Sequence, residues 1–202
     1  MILIQLVTLL MALLLSRCGA LRGVNLLRAV PRRALSASGL SASGQSVVCR
    51  TEEDVESLGA RLAGVLGKGD VLLLKGDLGA GKTTMSRGLI RRLFDDDSMR
   101  VTSPSYLLDN SYEYGPGEVL HHMDLYRLPT GADMTMLGMP GIFDSCLCLI
   151  EWPQRMADKL PREYLDVDLK IQEDETRLIT FTPFPETSER WKEKLKMLNL
   201  FQ

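Results

Sequence analysis

Gly79, Ala80, Gly81, Lys82, Thr83 and Thr84 follow one another behind the apolar run Val71, Leu72, Leu73 and Leu74, and with Gly76 they complete G-x-x-x-x-G-K-[ST] over residues 76–83. Three glycines in six positions allow the positive φ angles that turn successive N–H groups toward one anion. Lys82 then reaches the β- and γ-phosphates of a nucleoside triphosphate, and the Thr83 hydroxyl ligates Mg²⁺. Met85, Leu89, Ile90 and Leu93 recur at helical spacing behind the motif, so the phosphates sit at a helix N-terminus. A glycine-rich turn that matches by accident would lack the strand before it and the helix behind it.

A P-loop also needs an acid, commonly at the carboxyl end of an apolar strand, to hold Mg²⁺ directly or through water. Two segments offer one. Cys146, Leu147, Cys148, Leu149 and Ile150 form an apolar strand ending on Glu151, the first choice for the metal; Trp152 behind it either shapes the nucleotide pocket or simply packs. In the segment His122-x-Asp124-x-Tyr126-Arg127, period-two alternation puts His122, Asp124 and Tyr126 on one face. Asp124 reads as a functional acid, and His122 by itself as a satisfied structural histidine. Thr102 and Ser103 fall in a proline-fixed loop where hydroxyls either contact γ-phosphate, Mg²⁺ or water, or merely cap a turn.

The elements that must position these groups follow from pattern. Thr51 is an N-cap before Glu52, Glu53 and Asp54, and Val55, Leu58, Leu62, Val65 and Leu66 continue as a helix. Residues 71–74 read as a central parallel strand covered on both faces. A hairpin or two adjacent strands span residues 106–125, a short helix runs from about 128 to 137, two strands cover 164–171 and 176–184, and an amphipathic helix covers 186–200. The expected fold is an α/β P-loop NTPase sandwich with a largely parallel central sheet and antiparallel additions.

Charge separates the 202 residues into two parts. Residues 1–51 hold six arginines and no lysine or acid, whereas residues 52–202 carry a net −8. The apolar stretch 2–15 is shorter than the roughly 20 residues of a membrane-spanning helix, so no stable membrane insertion is expected. An arginine- and serine-rich, acid-free leader over residues 1–46 has the composition of a mitochondrial transit peptide, ahead of a single domain at 47–202. A secretory signal and a cytosolic or plastid leader are the competing readings. The acidic body disfavours direct tRNA or other polyanion binding; Arg87, Arg91 and Arg92 cluster near the P-loop helix, and Arg91 and Arg92 read at least as well as a solvated helical face. Four cysteines make neither a disulfide framework nor, with His121 and His122, a zinc site.

The glycine loop, Thr102-Ser103-Pro104-Ser105-Tyr106, His122-Met123-Asp124-Leu125-Tyr126-Arg127-Leu128 and Ile150-Glu151-Trp152-Pro153, in this order, resemble the TsaE (YjeE) family over roughly residues 51–170. In bacteria that family is the ATPase of tRNA threonylcarbamoyladenosine (t⁶A) synthesis. The resemblance implies that residues 79–84 bind phosphates, that Thr83 and Glu151 contact Mg²⁺, and that Asp124 takes a Walker-B-like position. It also implies that Trp152 lies near the nucleotide and Thr51 near its base. It further implies a weak ATPase stimulated by a TsaB–TsaD-like pair that performs the transfer to adenosine 37, so tRNA is met only through the partner. The chain departs from the family in two places: residues 132–137 have fewer acids than the corresponding glutamate-rich helix, which bears on partner contacts, and bacterial members lack the leader. Lys82, Asp124 and Glu151 are thus the expected catalytic groups, with ATP as substrate and Mg²⁺ as cofactor. A nucleotide-dependent binding module and a small-molecule kinase are the alternatives, the latter without an evident lid domain; a GTPase lacks its base-reading N-K-x-D motif.

Overall fold

The apolar run in front of the glycine loop feeds two cores at once, and the sheet is organised around it. The computed structural model describes residues 36–41 and 44–199. The apolar stretch 2–15 and Cys18 lie outside the described residues. In chain order the elements are β1 (Ser36–Ser41), β2 (Gly44–Cys49), α1 (Glu52–Leu62), β3 (Val71–Lys75), α2 (Lys82–Phe94), β4 (Asp109–Gly115), β5 (Glu118–Asp124), β6 (Leu147–Glu151), β7 (Tyr164–Ile171), β8 (Arg177–Phe184) and α3 (Glu189–Leu198). Short 3₁₀ turns occur at Thr135–Leu137, Gly141–Phe143 and Pro153–Met156.

The eight strands lie in the order β1-β2-β8-β7-β3-β6-β5-β4. The central four, β7, β3, β6 and β5, are mutually parallel, and β1, β2, β8 and β4 join antiparallel. This is the P-loop sandwich with a parallel centre and antiparallel additions. Leu72 and Leu74 point into the core shared with all three helices, through Val55, Leu58, Met85, Leu89, Trp191 and Leu195. Val71 and Leu73 point the other way, onto Met123, Met134, Met139, Phe143, Ile150 and Met156. That second face is covered by turns and loops of residues 125–160 rather than by a long helix, and unbranched methionines suit such an irregular cover.

Local signals explain the boundaries. Thr51 caps α1 through a capping box, its Oγ1 accepting from the Asp54 N–H while the Asp54 carboxylate accepts from the Thr51 N–H. The helix ends at Leu62, one turn short of the expected Leu66, because the chain turns through residues 63–70 into β3. The expected helix near residues 128–137 is only the 3₁₀ turn Thr135–Leu137, since Pro129, Gly131 and Gly138 break the pattern. The expected start of the domain at residue 47 falls inside β2, and the sheet's pairing already includes β1. Among the described residues no helix is long and apolar enough to cross a membrane. Cys49, Cys146 and Cys148 are free thiols, and burial, helped by the charge of Asp54, pushes the Cys49 thiol up to about 12.

Two contacts hold the helical layer in place. α1 and α2 approach so closely at Gly59 and Gly88 that a Cβ on Gly88 would lie 1.9 Å from the Glu56 carbonyl oxygen, and one on Gly59 2.0 Å from that of Met85. Neither position tolerates a side chain without separating the helices. Glu56 then pairs with Arg91 at 2.6 Å, so much of the basic cluster on α2 is an inter-helix clamp. The second contact is Asp70, fully buried directly before β3, which takes the Arg190 guanidinium, the Lys194 ammonium at 2.5 Å and the Gly67 N–H at 2.7 Å. It pins α3 to the root of the central strand.

Gly88→Ala should destabilise the protein by about 3 kcal/mol, the upper range for overpacking against a backbone atom that cannot yield, read as a lowered urea midpoint with unchanged slope. Asp70→Ala should cost about 1.5–3 kcal/mol, because the Gly67 N–H and two partly exposed cations lose the buried carboxylate they share. Chemical denaturation of the two variants checks both.

Candidate nucleotide-binding site

The phosphate loop takes the path its glycines allow. Gly81, the N-cap of α2, has φ 105°, and a Cβ on Gly76 at φ 133° would lie 2.4 Å from the Leu169 carbonyl oxygen. α2 differs from the other two helices at its start. α1 has a capping box and three acids in its first turn, and α3 has Ser188 and Glu189, whereas no side chain caps α2 and its first turn holds no acid. Its N–H groups and positive dipole end are left for an anion.

Three parallel strands bring the acids to this helix start. Register pairs Leu74 with Glu151 and Glu151 with Asp124, so β3, β6 and β5 end level, and both carboxyl groups lie just beyond the strand from which the loop departs. Both are almost completely buried. Thr83 Oγ1 donates to Glu151, at 2.9 Å from Oε1 and 3.1 Å from Oε2. Asp124 accepts from Ser103 Oγ at 2.6 Å and from the Tyr126 N–H at 3.0 Å, and Ser103 and Ser105 share a further bond at 2.7 Å. The strand ends at Asp124, so His122 and Asp124 share its face as the alternation requires, but Tyr126 belongs to the turn behind it.

Lys82 Nζ donates to the Gly76 and Asp77 carbonyl oxygens, each at 2.8 Å, and stands 4.2 Å from the centre of the Trp152 ring. Burial lowers the affinity of its amine for the proton, and the charges of Glu151, Asp124 and Asp77 oppose that shift. Trp152 adopts the left-handed conformation at φ 59°, donates its N–H to Leu74 O at 3.3 Å, and packs on Tyr126 with ring centres 4.8 Å apart. A lysine ammonium, two carboxylates and an indole therefore meet in one cavity of about 420 Å³, within the size range of small-ligand sites.

Gly79, Gly81, Lys82, Thr83, Thr84, Asp124, Glu151 and Trp152 all line that cavity, and Ala80 is buried behind it. Thr51 does not line it: its hydroxyl is engaged by the Asp54 N–H, and the neighbouring Glu52 and Val55 form the wall instead. Glu52 accepts from Thr84 Oγ1 at 3.1 Å and pairs with Arg87 at 3.3 Å. Arg177, at the start of β8, also faces the cavity, and nothing in its sequence context signals this because it is brought there only by strand order. Ser103, which reads from sequence as a loop hydroxyl that either contacts γ-phosphate, Mg²⁺ or water or caps a turn, donates to Asp124. His122, which reads from sequence as structural, places Nε2 2.8 Å from Glu151 Oε1.

Among the described residues no cluster of three or more His, Cys, Asp or Glu side chains forms a closed metal site. The donors present are hard oxygens, two carboxylates and a hydroxyl. The single O–H of Thr83 is spent on Glu151, which leaves its oxygen lone pairs for a cation. This fits Mg²⁺, which binds through one or two carboxylates with substrate phosphates and water completing its shell.

A family model described as "Threonylcarbamoyl adenosine biosynthesis protein TsaE" matches residues 49–179, spanning every element of this site. The chain belongs to the TsaE family. It is 32% identical over 135 residues to the tRNA threonylcarbamoyladenosine biosynthesis protein TsaE of Rickettsia bellii, covering 67% of this chain and 92% of that protein. It is 36% identical over 131 residues to the protein of the same name from Bacillus subtilis, covering 64% and 80%. The crystal structure of Bacillus subtilis YdiB superposes with a TM-score of 0.60 at 28% identity, covering 80% of this chain and 97% of that one. The shared regions contain the glycine loop and both acidic strand ends, so this TsaE chain has the family's P-loop fold throughout its described core.

Nucleotide should draw the Lys82 ammonium from the Gly76 and Asp77 carbonyls toward phosphate and so change the environment of Trp152. The other tryptophan, Trp191, is buried in the helical core. Titrating the protein with ATP should change tryptophan emission saturably, and Trp152→Phe should lose that change while retaining binding by calorimetry.

Proposed function

We propose that this TsaE chain is an Mg²⁺-dependent ATPase that serves t⁶A modification of tRNA, in mitochondria, through a TsaB/TsaD-like partner. The observation that carries the catalytic part is the Thr83–Glu151 pair. The hydroxyl that would ligate the metal is already aimed and held by a carboxylate beside an uncapped helix N-terminus. ATP would be bound by the loop N–H groups, with Lys82 on the β- and γ-phosphates. Thr83 and Glu151 would hold Mg²⁺, which when bound would neutralise charge on the phosphates. Asp124 lines the same cavity and accepts from Ser103, which is bonded to Ser105; in this reading it would accept a proton from an attacking water, and Ser103 and Ser105 would face the γ-phosphate. The Ser103–Asp124 and Ser103–Ser105 bonds are thus the ones that a bound γ-phosphate would exchange for bonds of its own.

Several features support the biological part. The curated TsaE relatives carry the process in their names. The acidic body favours contact with tRNA through a partner, and exposed Leu78, Tyr106 and Leu107 beside the loop and cavity mouth offer apolar surface for one. The arginine-rich, acid-free leader supports mitochondrial import.

The experiment is t⁶A content of mitochondrial and cytosolic tRNA, measured by mass spectrometry in cells lacking the protein. Mitochondrial t⁶A should fall and be restored by wild type but not by Lys82→Ala. Glu151→Gln, by weakening the hold on the metal, should lower ATP turnover about 100-fold and fail to rescue. Full rescue by Glu151→Gln with turnover abolished would instead establish a nucleotide-dependent binding module, and unchanged t⁶A would rule out the proposed role.

A further inference from the structure

His122 is fully buried and is not part of the cavity wall, so it touches no nucleotide. One ring nitrogen, Nε2, lies 2.8 Å from Glu151 Oε1, and the other, Nδ1, has no hydrogen-bond partner among the described atoms. A histidine kept only for packing leaves this arrangement unexplained: burying a ring nitrogen without a partner costs free energy that an apolar residue would avoid. The cost is offset only by what Nε2 does for the carboxylate.

The surroundings of Glu151 show what that is. Its carboxylate accepts from two side chains, the Thr83 hydroxyl on the cavity side and His122 on the buried side. The first must also serve the ligand. The second comes from the neighbouring parallel strand, where His122 is paired with Leu149, two residues before Glu151, and so faces the same side of the sheet. Asp124, on that same strand, is held differently, by Ser103 and the Tyr126 N–H. The two carboxyl groups therefore have separate supports, one in a loop and one in the sheet.

We infer that His122 is a positioning residue: it fixes the Glu151 carboxylate from behind, so that Glu151 holds the Thr83 hydroxyl with its lone pairs turned to Mg²⁺. This rests on the reading of the site as an Mg²⁺–nucleotide site. Groups that orient a metal ligand from behind change metal affinity by about 10–100-fold when removed. The nucleotide's contacts with the loop N–H groups and Lys82 do not pass through His122.

The test compares wild type, His122→Leu and His122→Gln in the full-length protein. The Gln side chain can place an amide N–H near the position of Nε2, whereas Leu fills space without a donor. Calorimetry measures ADP affinity in EDTA and then across a Mg²⁺ titration, and steady-state kinetics give kcat and KM for ATP. For His122→Leu the expected result is ADP affinity in EDTA within about twofold of wild type, a Mg²⁺ midpoint raised at least about tenfold, and a fall in kcat larger than any rise in KM at fixed Mg²⁺. His122→Gln should recover most of the Mg²⁺ dependence. A wild-type Mg²⁺ midpoint in His122→Leu would overturn the assignment. So would equal losses of affinity with and without Mg²⁺, or a His122→Gln variant no better than Leu. Absence of any Mg²⁺ effect on the wild type would overturn the metal reading of the site along with it.

Discussion

Three neighbouring parallel strands end at the same level, and that register sets the geometry of the whole site. Leu74, Glu151 and Asp124 are paired across β3, β6 and β5, so the phosphate loop leaves the sheet where two carboxyl groups point out of it. A slip of one residue in β6 would turn Glu151 to the opposite face and bury it among methionines. The register is itself set by burial: every residue of β6 is buried, with Leu147 and Leu149 in the helical core and Cys148 and Ile150 in the methionine-lined one. The hydrophobic effect thus aims the two acids.

The helix that receives the phosphates is fixed by different means. Its first turn carries no cap and no acid, so that end contributes little to its own stability and exposes N–H groups to the ligand. Compensation comes from farther along: the glycine contact with α1, the Glu56–Arg91 pair, and the burial of Met85, Leu89 and Ile90. Binding competence at one end of α2 is supported by packing at its middle.

Polar groups at the floor of the site are held in two sets. Glu151 takes Thr83 and His122, and Asp124 takes Ser103 and the Tyr126 N–H. The first set is built from helix and strand and belongs to the rigid frame. The second includes a loop serine that is itself bonded to Ser105, and a loop is the part of a fold that can rearrange with the occupant of the site. A carboxylate in the frame suits a metal, and one tied to a loop suits a reaction that changes state with the γ-phosphate.

The P-loop, the helix behind it, the apolar strands and the acids at their ends are legible in the sequence because each is a local pattern: glycine spacing, 3.6-residue periodicity, an unbroken apolar run. The parallel centre follows from strands separated by long crossovers. Other features have no local signature. The one-turn error at the end of α1 arises where tertiary cover, not propensity, decides the chain path; the missing helix near residue 130, by contrast, follows from the local breakers Pro129, Gly131 and Gly138. Thr51 reads as a cap from its own pattern and as a nucleotide contact only from the family resemblance, and in the folded chain its hydroxyl accepts from the Asp54 N–H while Glu52 forms the cavity wall. Arg177 and His122 acquire their places through strand order alone, one reaching the cavity from β8 and the other facing Glu151 from the adjacent strand. Sequence by itself determined which chemistry this protein carries, because phosphate binding needs particular residues in an unbroken row. Only the tertiary structure decided which side chains hold the acids in place, because partners that meet across a sheet are chosen by register, and register is a property of the whole packed core.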